Sequence, residues 1–139
     1  MQFDNPTAEE LPLVFDAWAS SFKKSPYAGV IPNHCYDEIA RVAISEILDR
    51  GAKVVVAVQP LPDGARRVMG YSVSEPAKKI LHWLYVKKDF RGMKIGRAIL
   101  RETVDPGEPG WRYTFRTKAS ARFLGPGFQW DPVPARIRG

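Results

Sequence analysis

The chain has 139 residues, 45% of them apolar and 26% charged. That is one domain's length and an ordinary globular balance, which excludes wholesale disorder. The net charge is +6, and no apolar run approaches the ~18–20 residues of a membrane span. A single cysteine, Cys35, excludes an internal disulfide and a cysteine zinc cluster. The N-terminal MQFDNPTAEEL lacks a signal peptide's basic-then-apolar layout, so a cytoplasmic protein with no membrane association is expected.

Thr7 and Glu10 have capping-box spacing. Leu11, Val14, Phe15, Trp18 and Phe22 follow at helical intervals, with Pro12 tolerable in the first turns. Pro26, Gly29 and Pro32 mark a loop over 25–32. Asn33 suits the cap of a second helix over 34–50, with Ile39, Val42, Ala43 and Ile47 on its buried face and Gly51 at its stop. Lys53–Gln59 and Arg67–Ser74 read as a hairpin about the Pro62-Asp63-Gly64 turn. Ile80–Val86 is the most strand-like segment, followed by a basic turn over 87–92 and a helix near 94–103. Residues 105–110 form a linker and Trp111–Thr117 a strand. Lys118–Leu124 is a short helix, Gly127–Trp130 a last strand, and 131–139 a Pro-rich, loosely ordered tail. This order predicts one α/β domain, a mixed sheet with helices on both faces.

Charge and chemistry meet in Leu81–Leu100, LHWLYVKKDFRGMKIGRAIL. Residues 1–77 hold 7 Lys/Arg and 10 Asp/Glu, net −3, whereas residues 78–139 hold 14 and 5, net +9. The second half therefore attracts anions: nucleic acid, phosphate-bearing cofactors and acidic proteins all fit. In this segment a strand feeds a Gly-containing basic turn and then a helix. Backbone N–H groups in such a turn make an anion-binding concavity, reinforced by the helix N-terminus. Arg91, Lys94 and Arg97 add fixed charge. The Walker Gly-Lys-Ser/Thr is absent, and Gly92 and Gly96 are wrongly spaced for GxGxxG.

Arg91-Gly92-Met93-Lys94-Ile95-Gly96, after Leu84-x-Val86, resembles the acetyl-CoA signature of GNAT-type N-acetyltransferases, Q/R-x-x-G-x-G/A at a helix start. Arg91 takes the first position and Gly96 the last, while Lys94 stands at the middle glycine. Lys118-x-x-Ala121, Phe123 and Gly127-Phe128 resemble the family's later N-x-x-A, aromatic and Gly-Phe block, with Lys118 in place of asparagine. The resemblance covers most of the chain and is strongest over 80–100. It implies a twisted mixed sheet whose fourth and fifth strands splay to admit the pantetheine arm.

The resemblance also implies roles. Acetyl-CoA would lie against Leu84, Tyr85, Val86 and the turn Arg91, Gly92, Met93, Lys94, Ile95, Gly96 and Arg97. Backbone N–H groups near Leu84–Val86, at a strand bulge, would hold the oxyanion. An ammonium must lose a proton before it attacks. His82 is the candidate base: it stands where some family members have His or Glu, and its ordinary pKa near ~6.5 suits the task. Strand alternation puts His82 on one face with Leu84 and Val86. The family's acid tyrosine falls at Phe123, which cannot donate, leaving Tyr113, Ser120 or Thr117. Trp18, Tyr27 and Tyr36 are candidate acceptor-pocket residues. Phe22 and Trp18 equally fit a core-facing helix side. His34 and Cys35 lack further ligands, so no metal is expected.

The expected function is acetyl-CoA-dependent transfer to a primary amine by direct attack in a ternary complex. The acceptor would be a small molecule or a peptide, and dimers are frequent in the family. Two alternatives stand beside it. One is a catalytically weak or inactive GNAT-fold binding protein. The other is a basic nucleic-acid-binding module using Trp83, Tyr85, Trp111, Tyr113, Phe115 and Trp130.

Overall fold

The computed structural model describes residues 1–23, 33–104, 110–114 and 128–130, without the side chains of 19–23, 33–40 and 130. In chain order they form β1 (Gln2–Asp4), α1 (Leu11–Lys23), α2 (Asn33–Asp49), β2 (Lys53–Pro60), β3 (Arg66–Glu75), β4 (Ile80–Val86), α3 (Ile95–Thr103), β5 (Arg112–Tyr113) and β6 (Gln129–Trp130). The sheet runs β1-β2-β3-β4-β5-β6. Its first three pairings are antiparallel and the last two parallel.

The start of α1 follows from its capping box. Thr7 Oγ1 accepts from Glu10 N at 3.2 Å, and Thr7 N donates to Glu10 Oε1 at 2.9 Å. Arg66, at the start of β3, fastens this cap to β1. It donates to Glu10 Oε2 at 3.0 Å, Asp4 Oδ2 at 2.8 Å and the Asn5 carbonyl at 3.0 Å. The hydrogen bond from Arg66 holds the Glu10 carboxyl below its ordinary pKa, outweighing burial. The short strand β1 has no clear pattern in the sequence; it exists because it pairs with Val56–Val58 of β2.

Helices cover both faces. Val14 and Trp18 of α1 and Ile44 and Ile47 of α2 pack against Val54, Val56, Val58, Tyr71, Val73 and Trp83. On the opposite face Ile95 and Ile99 of α3 pack against Ala57, Met69, Leu84 and Val86. The buried stripe of α2 differs from the expected one by a rotation of the helix. Val42 is exposed, and Ile44, Ile47 and Leu48 face the sheet at i, i+3, i+4 spacing.

Close approach of α3 depends on Gly70. A Cβ there would lie 2.5 Å from the Tyr85 carbonyl oxygen and 2.7 Å from Ile99 Cδ1. Two polar side chains reinforce that layer. Thr103 Oγ1 donates to the Ile99 carbonyl at 2.8 Å, leaving it to accept from the buried Ser72 hydroxyl at 2.6 Å. The expected loop 25–32, helix 118–124 and tail 131–139 lie outside the described residues, as do 105–109 of the expected linker 105–110, 115–117 of the strand 111–117 and Gly127 of the strand 127–130.

Candidate functional site

The strand β4 ends at Val86, and a 3₁₀ turn over Lys88–Phe90 leads to the α3 N-terminus. Gly92 has φ 85° and Lys94, the residue before α3, has φ 61° and ψ 18°. Lys94 thus occupies the left-handed region that glycine favours, at the position where the resemblance calls for glycine. The first N–H groups of α3 have no acceptor within the helix. Lys88, Arg91, Lys94 and Arg97, before and within its first turn, are exposed. Arg91 is turned partly inward: its Nε donates to the Val86 carbonyl at 3.0 Å, and its guanidinium sits 5.7 Å from the Tyr85 ring centroid. Ile95 and Gly96 are buried. Met93, in contrast, is 64% exposed.

The register places a bulge at His82. Val73 pairs with Trp83 and the next residue, Ser74, pairs with Leu81, so His82 is the extra residue of β4. The expected grouping of His82 with Leu84 and Val86 is therefore corrected. The bulge turns His82 toward Trp18 of α1, with ring centroids 6.3 Å apart, while Leu84 and Val86 pack under α3. The bulge also falls earlier than Leu84–Val86, which pair regularly with Ser72–Gly70.

His82 is 1% exposed, and both ring nitrogens are engaged. Nε2 lies 2.8 Å from Glu75 Oε2, and Nδ1 lies 2.7 Å from Thr114 Oγ1. Arg50, just past α2, grips the same carboxylate through Nε at 3.0 Å and Nη2 at 2.8 Å. Lys78 Nζ approaches it at 3.6 Å. Burial raises the Glu75 carboxyl, but hydrogen bonds from Arg50 and His82 prevail and hold it at about 2. Burial also draws His82 down to about 4, against the pull of Glu75. At neutral pH the carboxylate is ionised and can only accept, so Nε2 carries the imidazole proton. Nδ1 then accepts from the Thr114 hydroxyl. The ordinary pKa expected of His82 does not survive its burial.

The described part of the β4–β5 ladder lies beside these side chains. Ile80 pairs with Arg112 and Leu81 with Tyr113, and Thr114 N donates to the Leu81 carbonyl at 3.2 Å. Among the described residues no rung joins β5 to 82–86. The His82–Thr114 bond follows directly on the last described rung.

The remaining expected site residues separate. Trp18 is fully buried and stacks on Trp83 with ring centroids 5.8 Å apart, so its described contacts are those of the core. Trp83 continues into Tyr85 and Tyr71, at 5.2 and 5.9 Å. Tyr113 packs by Leu81, Val104 and Trp111, in the cluster that also receives Phe128. Tyr27, Thr117, Ser120, Lys118, Ala121, Phe123 and Gly127 lie outside the described residues, as do the side chains of Phe22, His34, Cys35 and Tyr36. Sequence reading missed Arg50, Glu75 and Thr114. The only cue was Glu75 standing seven residues before His82, and nothing local joined it to Arg50 or Thr114.

Among the described residues, no group of three or more His, Cys, Asp or Glu side chains could hold a metal ion. No helix there is long and apolar enough to cross a membrane. Neither the protein-family models nor the curated proteins contain a match to this chain.

Proposed function

We propose that this protein is an acetyl-CoA-dependent N-acetyltransferase of the GNAT type, moving an acetyl group to a primary amine within a ternary complex. The observation that carries the reading is the β4–turn–α3 unit. Its left-handed Gly92 and Lys94 lead into a helix N-terminus whose flanking sequence carries the exposed Lys88, Arg91, Lys94 and Arg97. That donor set fits a pyrophosphate. Helices on both sheet faces and a parallel pairing of β4 with β5 support the same reading. When bound, acetyl-CoA supplies the activated acyl carbon. The turn and Arg91 would bind and orient it, and the backbone beside β4 would face the thioester.

One observation favours a second reading, a protein of this fold that holds acyl-CoA without turnover. His82 has no free ring nitrogen and is drawn to about 4, so it does not itself take a proton from an amine.

Melting curves with acetyl-CoA and with CoA, followed by thiol release with amine acceptors, test both. A ligand that binds only the folded state raises Tm by mass action. The acetyltransferase reading expects a rise that Arg91→Ala diminishes, and thiol release that depends on the amine. A rise without thiol release leaves the non-catalytic reading. No rise at millimolar ligand overturns both, and salt-sensitive nucleic-acid binding by the basic half then becomes the reading to test.

A further inference from the structure

We infer that the outer face of α3 is a nucleic-acid surface, one that grips the phosphate backbone of a duplex without reading its sequence. The inference does not rest on the acetyltransferase reading, because it concerns the side of α3 turned away from the sheet.

Three observations carry it. The first is a row of charge. Ile95, Gly96 and Ile99 are buried, whereas Lys94, at the cap of α3, and Arg97 and Arg101 within it are exposed. Their i, i+3, i+7 spacing sets the three cations along one line on the opposite side of the helix. At about 1.5 Å per residue the row is ~10 Å long, which spans about three nucleotide steps of one strand at roughly 3.4 Å each. Residues 87–102 hold 6 Lys/Arg against 2 Asp/Glu. The potential around the row is therefore positive.

The second observation is that the fold does not use these cations. Arg41 pairs with Asp16, Arg50 with Glu75, and Arg66 with Asp4 and Glu10. The side chains of Lys94, Arg97 and Arg101 have no hydrogen bond, ion pair or ring contact among the described residues. A guanidinium with an open fork can take two oxygens of one phosphate, so the two arginines suit this ligand better than point charges would.

The third observation selects the partner. The apolar side chains Ile95 and Ile99 are turned to the sheet. Among the described residues, Met93 is the single exposed large apolar side chain of the turn and α3. A helix lying on a bilayer buries an apolar face, and a protein interface has an apolar centre. The outer side of α3 offers neither. The rings of Trp83 and Trp111, expected as stacking platforms, are only 3% and 2% exposed. Without such platforms a single strand gains little over a duplex, and contacts to phosphate alone carry no sequence information.

Fluorescence anisotropy of two labelled DNA duplexes of unrelated sequence, each about two helical turns long, tests this with the full chain. Both are expected to bind equally, with log K falling against log salt at a slope of about −3 for three phosphates. Arg101→Ala, outside the proposed cofactor turn, is expected to remove about one unit of that slope. Adding Arg97→Ala should leave a slope of about −1 and weaken binding ~10-fold or more at low salt. Lysine at both positions should keep the slope, which separates lost charge from lost folding. Arg41→Ala removes the same charge from α2, on the other face of the sheet, and should change affinity by less than ~2-fold. The inference is overturned by no binding at low salt with ~100 μM protein, by a strong preference for one sequence, or by an equal loss in Arg41→Ala. Phosphatidylserine vesicles are the second probe: binding that is lost in Met93→Asp, with no binding to either duplex, assigns this face to a lipid surface and also overturns the inference. The melting response to acetyl-CoA bears on none of these outcomes.

Discussion

Glu75, the last residue of β3, and His82, the extra residue of the β4 bulge, share a part-buried hydrogen bond of 2.8 Å between Oε2 and Nε2. Seven residues and a 3₁₀ turn separate them along the chain. Their pairing links the sheet to α2 through Arg50 and to β5 through Thr114.

That pairing predicts acid sensitivity. His82 has an ordinary value of 6.5 in the unfolded chain and about 4 when folded. The unfolded state therefore binds more protons below pH 6.5, and stability falls as pH drops from 6.5 through 4. Glu75, lowered from 4.5 to about 2, has a stabilising contribution that is present above pH 4.5 and lost toward pH 2. The His82 contribution is on the order of 3 kcal/mol, at ~1.4 kcal/mol per pH unit between the two states' values. Urea unfolding of the parent chain and of His82→Gln across pH 4–7 checks this. Their difference in unfolding free energy should shrink as pH falls; a constant difference would refute the assignment.

Lys94→Gly should stabilise the fold. Lys94 has φ 61° and no capping hydrogen bond from its side chain. A left-handed residue with a Cβ costs ~1–2 kcal/mol, of which glycine's greater freedom when unfolded offsets part. A net gain on the order of 1 kcal/mol, read as a higher Tm, is expected without any ligand. An unchanged or lower Tm contradicts the strain assigned to this position.

Gly70→Ala should destabilise it. The added methyl meets the Tyr85 carbonyl and Ile99 well inside contact distance, and the carbonyl belongs to a paired strand that cannot yield freely. Overpacking of this kind costs ~1–3 kcal/mol, measurable as a lower urea midpoint. Ile99→Ala in the same chain removes one of the two obstacles and should recover part of the loss beyond additivity. Strict additivity of the two substitutions argues against the contact.

Local chemistry made much of this protein legible in its sequence. The Thr7–Glu10 box, the Pro62-Asp63-Gly64 hairpin and the run Ile80–Val86 act over a few residues, and each forms where its pattern places it. The order of elements from α1 to α3 and the helices on both faces follow from hydrophobic periodicity, because apolar stripes at periods of 3.6 and 2 must find one another. The basic turn before α3 was visible for the same reason, a contiguous segment carrying its own charge and glycine.

Only the tertiary structure decided the surroundings of His82. Strand alternation assigned it the wrong face because a bulge is a property of a strand pair: Val73 and Ser74 of β3 set where β4 takes an extra residue. Its pKa likewise depends on burial beneath Trp18 and on Glu75, Arg50 and Thr114, which lie 7 to 32 residues away in sequence. Sequence determines what the chain repeats or caps within one element. The contacts that fix a proton's position form between elements, and they exist only once packing has brought those elements together.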